Sequence, residues 1–169
     1  MKRVCLAGVE STGKSTLAPV LAAHFGGLVM PEYGRSWAEH HGTDFTPDAL
    51  REIAAGHLAI RAEIETASPK LIIEDTDIVM TSAWGHMLHG QRDPALSAIP
   101  ATADLYLLFA ADTPWVDDGT RQFGGRERRR FAALIDEEFT LRGITPTRIA
   151  GTWAERQATA IAAIARLSP

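Results

Sequence analysis

The sequence predicts an α/β protein, a parallel sheet wrapped by helices, on three observations. Short apolar runs alternate with helix-periodic segments along the whole chain. The first run empties into a glycine-rich turn that opens a helix, and acidic residues stand just beyond the later runs. The 169 residues suit about one domain. With 46% apolar and 22% charged residues, the composition disfavours disordered and fibrous classes. Seventeen basic against 21 acidic side chains leave a net charge of −4, which disfavours generic nucleic-acid binding. Cys5 lies in an apolar run and reads as a core thiol. No segment has the ~18 apolar residues of a membrane span, and the start is too short for a signal peptide, so the expected compartment is the cytoplasm.

Each element has its own signature. Residues 3–8 form a short apolar run ending in glycine, as expected of a buried parallel strand. A helix follows from Lys14, with Leu17, Val20, Leu21 and Phe25 at helical spacing and Gly26-Gly27 as its stop. Leu28-Val29-Met30 is a second strand cut off by Pro31, and a short helix is expected over 35–40. Thr46-Pro47-Asp48 supplies an N-cap, an N1 proline and an acidic first turn for a helix reaching about Ala67. Leu71-Ile72-Ile73 is the third strand, residues 78–89 and 94–101 read as helices, and Leu105–Phe109 is the fourth strand. A polar stretch from Asp112 to Gly125 precedes a charge-rich helix to Leu141. Thr147-Arg148-Ile149 makes a fifth strand, and Thr152 with Glu155 forms a capping box for a last helix carrying Ile161, Ile164 and Leu167.

Gly8-Val9-Glu10-Ser11-Thr12-Gly13-Lys14-Ser15 matches G-x-x-x-x-G-K-[ST] in full, between a predicted strand and a predicted helix. Chance would place about 0.003 such matches in a chain of this composition. The glycines let backbone N–H groups turn inward around a β-phosphate. Lys14 would reach the β- and γ-phosphates, Ser15 would coordinate Mg²⁺, and the helix N-terminus adds a favourable dipole. ATP contacts are thus expected from Gly8, Glu10, Ser11, Thr12, Gly13, Lys14, Ser15 and Thr16. Glu10 is unusual there, since a carboxylate repels phosphate unless it faces a metal, an arginine or the substrate. The chain has no asparagine and only the lysines 2, 14 and 70, so it lacks the Asn/Thr-Lys-x-Asp element of guanine switches.

Three further clusters fall beyond strand ends, where open α/β sheets bind ligands. Glu32, in Pro31-Glu32-Tyr33-Gly34-Arg35, could take the proton from an acceptor hydroxyl, or cap or pair within the next helix. In Glu74-Asp75-Thr76-Asp77, Asp75 is the first choice for the Mg²⁺ shell; Asp77 could bind substrate hydroxyls or cap the following helix. Thr113 to Arg121 opens an arginine-bearing lid over about 112–130. Arg121 is the best candidate over the transferring phosphoryl group. Arg126 and Arg129 share a face with Arg130 as further phosphate contacts, whereas Arg128 points elsewhere.

Gly-Val-Glu-Ser-Thr-Gly-Lys-Ser-Thr, Glu-Tyr-Gly-Arg, Asp-Thr-Asp and Trp-Val-Asp-Asp-Gly-Thr-Arg, in this order and spacing, resemble the ribosylnicotinamide kinase domain of NadR-type NAD-biosynthesis proteins, over about residues 3–165. The resemblance implies a three-layer P-loop NTPase/kinase fold with a five-stranded parallel sheet, and Mg²⁺-dependent transfer of the ATP γ-phosphate to the 5′-hydroxyl of nicotinamide riboside. Better-known members also carry a nucleotidyltransferase domain and, in some, a helix-turn-helix; neither activity is expected of a chain occupied by one kinase domain over residues 1–169. Nicotinamide riboside is a cationic aromatic, so aromatic faces and carboxylates should select it. Tyr33, Trp37, Trp84 and above all Trp115 are candidate faces, with Arg35 beside Glu32, and Asp77, Asp117 and Asp118 could hold the ribose hydroxyls or the cation. Other readings stay open: a different nucleoside or small alcohol as acceptor, or an ATP- and pyridine-nucleotide-sensing module with little turnover. No membrane or nucleic-acid partner is expected.

Overall fold

In the computed structural model, residues 1–116 and 123–167 are described. The chain runs β1 (Lys2–Gly8), α1 (Lys14–Phe25), β2 (Leu28–Met30), α2 (Tyr33–His41), α3 (Pro47–Thr66), β3 (Leu71–Asp75), α4 (Ile78–His89), α5 (Pro94–Ala98), β4 (Leu105–Phe109), α6 (Gly125–Leu141), β5 (Thr147–Ile149) and α7 (Trp153–Ala165). The five strands form one parallel sheet in the order β2-β3-β1-β4-β5.

The period of two along each strand makes the layers. Val4 and Leu6 of β1, Leu71 and Ile73 of β3, and Leu107 and Phe109 of β4 face Leu17 and Leu21 of α1 and Ile164 of α7. Cys5, Ala7, Tyr106 and Leu108 face the other way, onto Val79 and Met80 of α4 and Phe131, Ile135 and Phe139 of α6. A third cluster, with Trp37, Leu50, Ile53, Ile78 and Leu96, joins α2, α3 and α5 to α4. Because β1 lies between β3 and β4, the chain leaves it first to one side of the sheet and later to the other. That reversal opens a crevice at the carboxyl ends of the strands, and the glycine-rich loop emerges into it.

Local chemistry explains most boundaries. Thr46 caps α3 through Ala49 N, Asp93 caps α5 through the amides of Ala95 and Leu96, and the Thr152/Glu155 capping box is complete. Three expectations shift. The helix expected over 94–101 stops at Ala98, because Ile99 precedes Pro100 and is held extended at ψ 122°. α2 begins at Tyr33, two residues early, on Glu32 in an extended conformation. Val20 is exposed, and Ala18 and Ala22 complete the buried face of α1 instead.

The charged helix α6 hides an ion-pair knot. Glu138 is 2% exposed and accepts hydrogen bonds from Arg92 (2.9 and 3.0 Å) and Arg142 (2.7 Å). Arg142 also donates to Ile99 O, Leu96 O and Ser82 Oγ, tying α6 to α4 and α5. Burial pushes the Glu138 carboxyl up, but the two guanidiniums outweigh it and hold it below the usual carboxylate range. Glu138→Ala leaves two partly buried cations without their carboxylate and should cost about 3–5 kcal/mol in urea unfolding. A lowered folded-state value contributes stability above the unfolded value, lost as pH falls through the folded one. The gap between wild type and the variant should therefore narrow in acid.

Candidate active site

The glycine-rich loop between β1 and α1 has the geometry its motif demands. Gly8 has φ +134°, and a Cβ there would meet Phe109 O at 2.7 Å; Gly13 has φ +88°, and a Cβ would meet the Trp153 ring at 2.6 Å. Ser11 holds φ 60° without being glycine because neighbours fix it: its Oγ donates to Val116 O and accepts from Val116 N, and its carbonyl accepts from Thr113 Oγ1. Lys14 Nζ is held at the loop by the carbonyls of Gly8 (2.8 Å) and Val9 (3.0 Å). Ser15 and Thr16 are exposed to the cleft that the loop borders.

Opposite the loop, Glu32 and Arg35 line the same cleft. Glu32 occupies the N-cap position of α2 but makes no capping hydrogen bond; its Oε2 lies 3.8 Å from Arg35 Nε. Burial pushes its carboxyl above the ordinary value. Asp75 and, less, Glu10 add to the rise, while Lys14 and Arg35 pull against it. Asp75 ends β3 beside β1, in register with Leu6, and is 4% exposed. Its Oδ1 has no hydrogen-bond partner among the described residues. A buried, unmatched carboxylate oxygen beside a phosphate loop with an exposed hydroxyl suits a hard cation such as Mg²⁺.

Further in, the cleft wall is aromatic and apolar: Phe45, Leu50, Ile53, Met80, Trp84 and Phe131. Trp84 meets Phe45 edge-on at 5.4 Å and Phe131 edge-on at 5.6 Å.

Several expected site residues lie elsewhere. Trp37 is buried, stacked on His41 at 4.6 Å, and packs in the α2–α3 core. Tyr33 lies so close over Gly56 of α3 that a Cβ there would be 2.1 Å from its ring. Neither lines the cleft. Asp77 is fully buried and caps α4, accepting from Val79 N (2.9 Å) and Tyr106 Oη (2.6 Å), so the capping reading holds and no face remains for substrate. Burial pushes its carboxyl up, which those hydrogen bonds partly oppose. Trp115 packs over Gly124 with its indole nitrogen 3.5 Å from Glu10 Oε2, off the cleft wall. Glu10 also accepts from Phe123 N, so its carboxylate faces the chain flanking the expected lid. Asp117, Asp118 and Arg121 lie outside the described residues.

Arg126 and Arg129 are exposed on α6 and do not border the cleft. The inward arginine of that turn is Arg128, which donates to Thr113 O (2.6 Å) and Glu10 O (3.0 Å) and so fastens the phosphate loop to the segment after β4. Its spacing to Phe131 and Ile135, the buried stripe of α6, was the available signal. Arg156, 1% exposed, does the same from α7, binding Asp112, Gly151 O and Thr12 O. His57, which also borders the cleft, had no motif to announce it.

A parallel sheet in this order, with a glycine-rich loop leading into a helix at its switch point, defines a nucleotide-binding protein of the P-loop kinase fold. The chain belongs to the AAA domain family, whose profile matches residues 3–156. It is 33% identical over 144 residues to the trifunctional NAD biosynthesis/regulator protein NadR of Escherichia coli K12, covering 81% of this chain and 35% of that protein. The NadR of Salmonella typhimurium matches equally. The chain thus spans about a third of the length of these relatives. In structure it superposes on a NadR protein crystallised with NR at a TM-score of 0.84 and 22% identity, over 98% of this chain and 51% of that one. A thymidylate kinase from Ehrlichia chaffeensis matches at 0.64 and 16% identity, over 99% and 98% of the two chains. No helix among the described residues is long and apolar enough to cross a membrane.

Proposed function

We propose that this protein is a nucleoside kinase that transfers the γ-phosphate of ATP to the 5′-hydroxyl of nicotinamide riboside. The observation that carries the reading is Glu32, a carboxylate with no capping duty, on the cleft wall shared by the phosphate loop and an aromatic pocket. Lys14 and the loop amides take the phosphates, and Arg35 borders the same space. Ser15 and Asp75 would hold Mg²⁺, which when bound neutralises phosphate charge. Glu32 accepts the hydroxyl proton as the 5′-oxygen bonds to the γ-phosphorus and the bond from that phosphorus to the β–γ bridging oxygen breaks, releasing ADP; the proton then passes from Glu32 to water. Trp84 and Phe45 offer faces suited to a cationic pyridine ring. The likeness to NadR, an NAD biosynthesis/regulator protein crystallised in complex with NR, supports this choice of acceptor.

The test is ADP release by purified protein with Mg-ATP, with and without nicotinamide riboside. Stimulation by the riboside, with its mononucleotide as product, is expected. An unchanged rate in protein that still binds ATP would favour the sensing reading instead.

A further inference from the structure

One polar side chain on the cleft wall has no part in the chemistry above. His57 follows Leu50 and Ile53 along the cleft-facing stripe of α3. It is 5% exposed, and its Nε2 makes no hydrogen bond among the described residues. Glu74 Oε2 lies 4.0 Å from that nitrogen. Glu74 is fully buried, receives Arg61 Nη2 at 2.9 Å and leaves Oε1 unmatched. Folded proteins retain few such atoms, because an unmatched buried donor or acceptor is costly. On a cleft wall they are the groups a ligand completes.

The surroundings narrow the ligand. The neighbouring stretch of wall, Leu50, Ile53, Phe45 and Trp84, offers no side-chain acceptor, whereas the imidazole does; of the hydroxyls that also line the cleft, that of Thr81 donates to Asp77 O. The Glu74 carboxylate lies beside the imidazole, paired with the guanidinium of Arg61, and Asp77 is close enough for its charge to act on His57, which disfavours an anionic substituent at this end of the cleft. A carboxylate beside Nε2 favours the tautomer protonated there, leaving Nδ1 as an acceptor. An amide N–H satisfies such an acceptor, whereas a carboxylate brings only more acceptors.

We propose that His57, backed by Glu74 and Arg61, reads the polar substituent on the ring of the acceptor nucleoside and sets a preference for a carboxamide over a carboxylate. The inference rests on the nucleoside-kinase reading above. Its test is steady-state kinetics with Mg-ATP and two acceptors, nicotinamide riboside and its carboxylate analogue nicotinic acid riboside, for wild type, His57→Leu, His57→Met and His57→Gln. Wild type should prefer the amide. The Leu and Met variants, one of which suffices if the other does not fold, should raise the KM for the amide about tenfold or more, leave kcat and the KM for ATP little changed, and bring the preference near unity. His57→Gln, which keeps a donor and an acceptor, should restore most of the preference. A wild type without preference overturns the proposal, as do apolar variants with an unchanged ratio or a loss confined to kcat. A wild type that phosphorylates neither riboside is a different result: it overturns the kinase reading and this proposal with it.

Discussion

Lys14→Ala is expected to lower kcat/KM for phosphoryl transfer by at least about a hundredfold while leaving the fold intact. The ammonium is the only lysine charge at the loop, since Lys2 and Lys70 lie at the opposite end of the sheet, where Lys2 N bonds Lys70 O. It is held by the carbonyls of Gly8 and Val9, two residues whose backbone also forms the loop. On the proposed reading, this places a positive charge at the loop where negative charge would grow as the γ-phosphate departs. The side chain is only half-buried and belongs to no core cluster, so its removal should not lower the thermal midpoint appreciably. The check is kcat/KM and the ATP dissociation constant for both proteins, with thermal unfolding alongside. A variant that keeps full turnover would assign the phosphate charge to an arginine. One that unfolds would show the ammonium to be a structural strut of the loop.

The parts of this molecule that were legible in the sequence are those whose signal is local. β1, the loop and α1 announce themselves because glycine spacing, a buried strand and a helix start coincide within a few residues. The central strands β1, β3 and β4 were legible because each is a short apolar run buried in the sheet, whereas the three-residue edge strands β2 and β5 each keep an exposed position and were marked mainly by the turn residues around them. Side-chain destination was less so, because it depends on partners far along the chain. Trp37, Tyr33 and Asp77 sit beside motif residues, yet the helix turn carries both aromatics into the α2–α3 packing and the cap of α4 uses up the carboxylate. In α6, Arg126 and Arg129 looked like a phosphate-facing pair, whereas the buried stripe through Phe131 and Ile135 selects Arg128. Arg128 and Arg156 bind carbonyls of the phosphate loop from 118 and 144 residues away, and no local pattern encodes that.

Glu32→Gln should reduce kcat by about 10²–10⁴ with the KM for ATP retained, because the amide keeps the shape and loses only the proton acceptor. The pH profile makes the assignment specific. Burial and the nearby Asp75 raise the Glu32 carboxyl from its ordinary 4.5. A base works deprotonated, so kcat/KM must rise as pH climbs through the raised value and be lost below it. The acid limb of the wild-type profile should accordingly lie above the position of an ordinary glutamate and be missing from the residual activity of Glu32→Gln. Arg35 supplies a second handle. Its guanidinium, 3.8 Å away, pulls the carboxyl down, so Arg35→Ala should shift the acid limb to higher pH, whatever it does to acceptor affinity. A limb that stays in place in Arg35→Ala, or that persists in Glu32→Gln, belongs to another group. Asp75, whose charge acts on Glu32, is the next candidate, and it would then be the base rather than a holder of the metal.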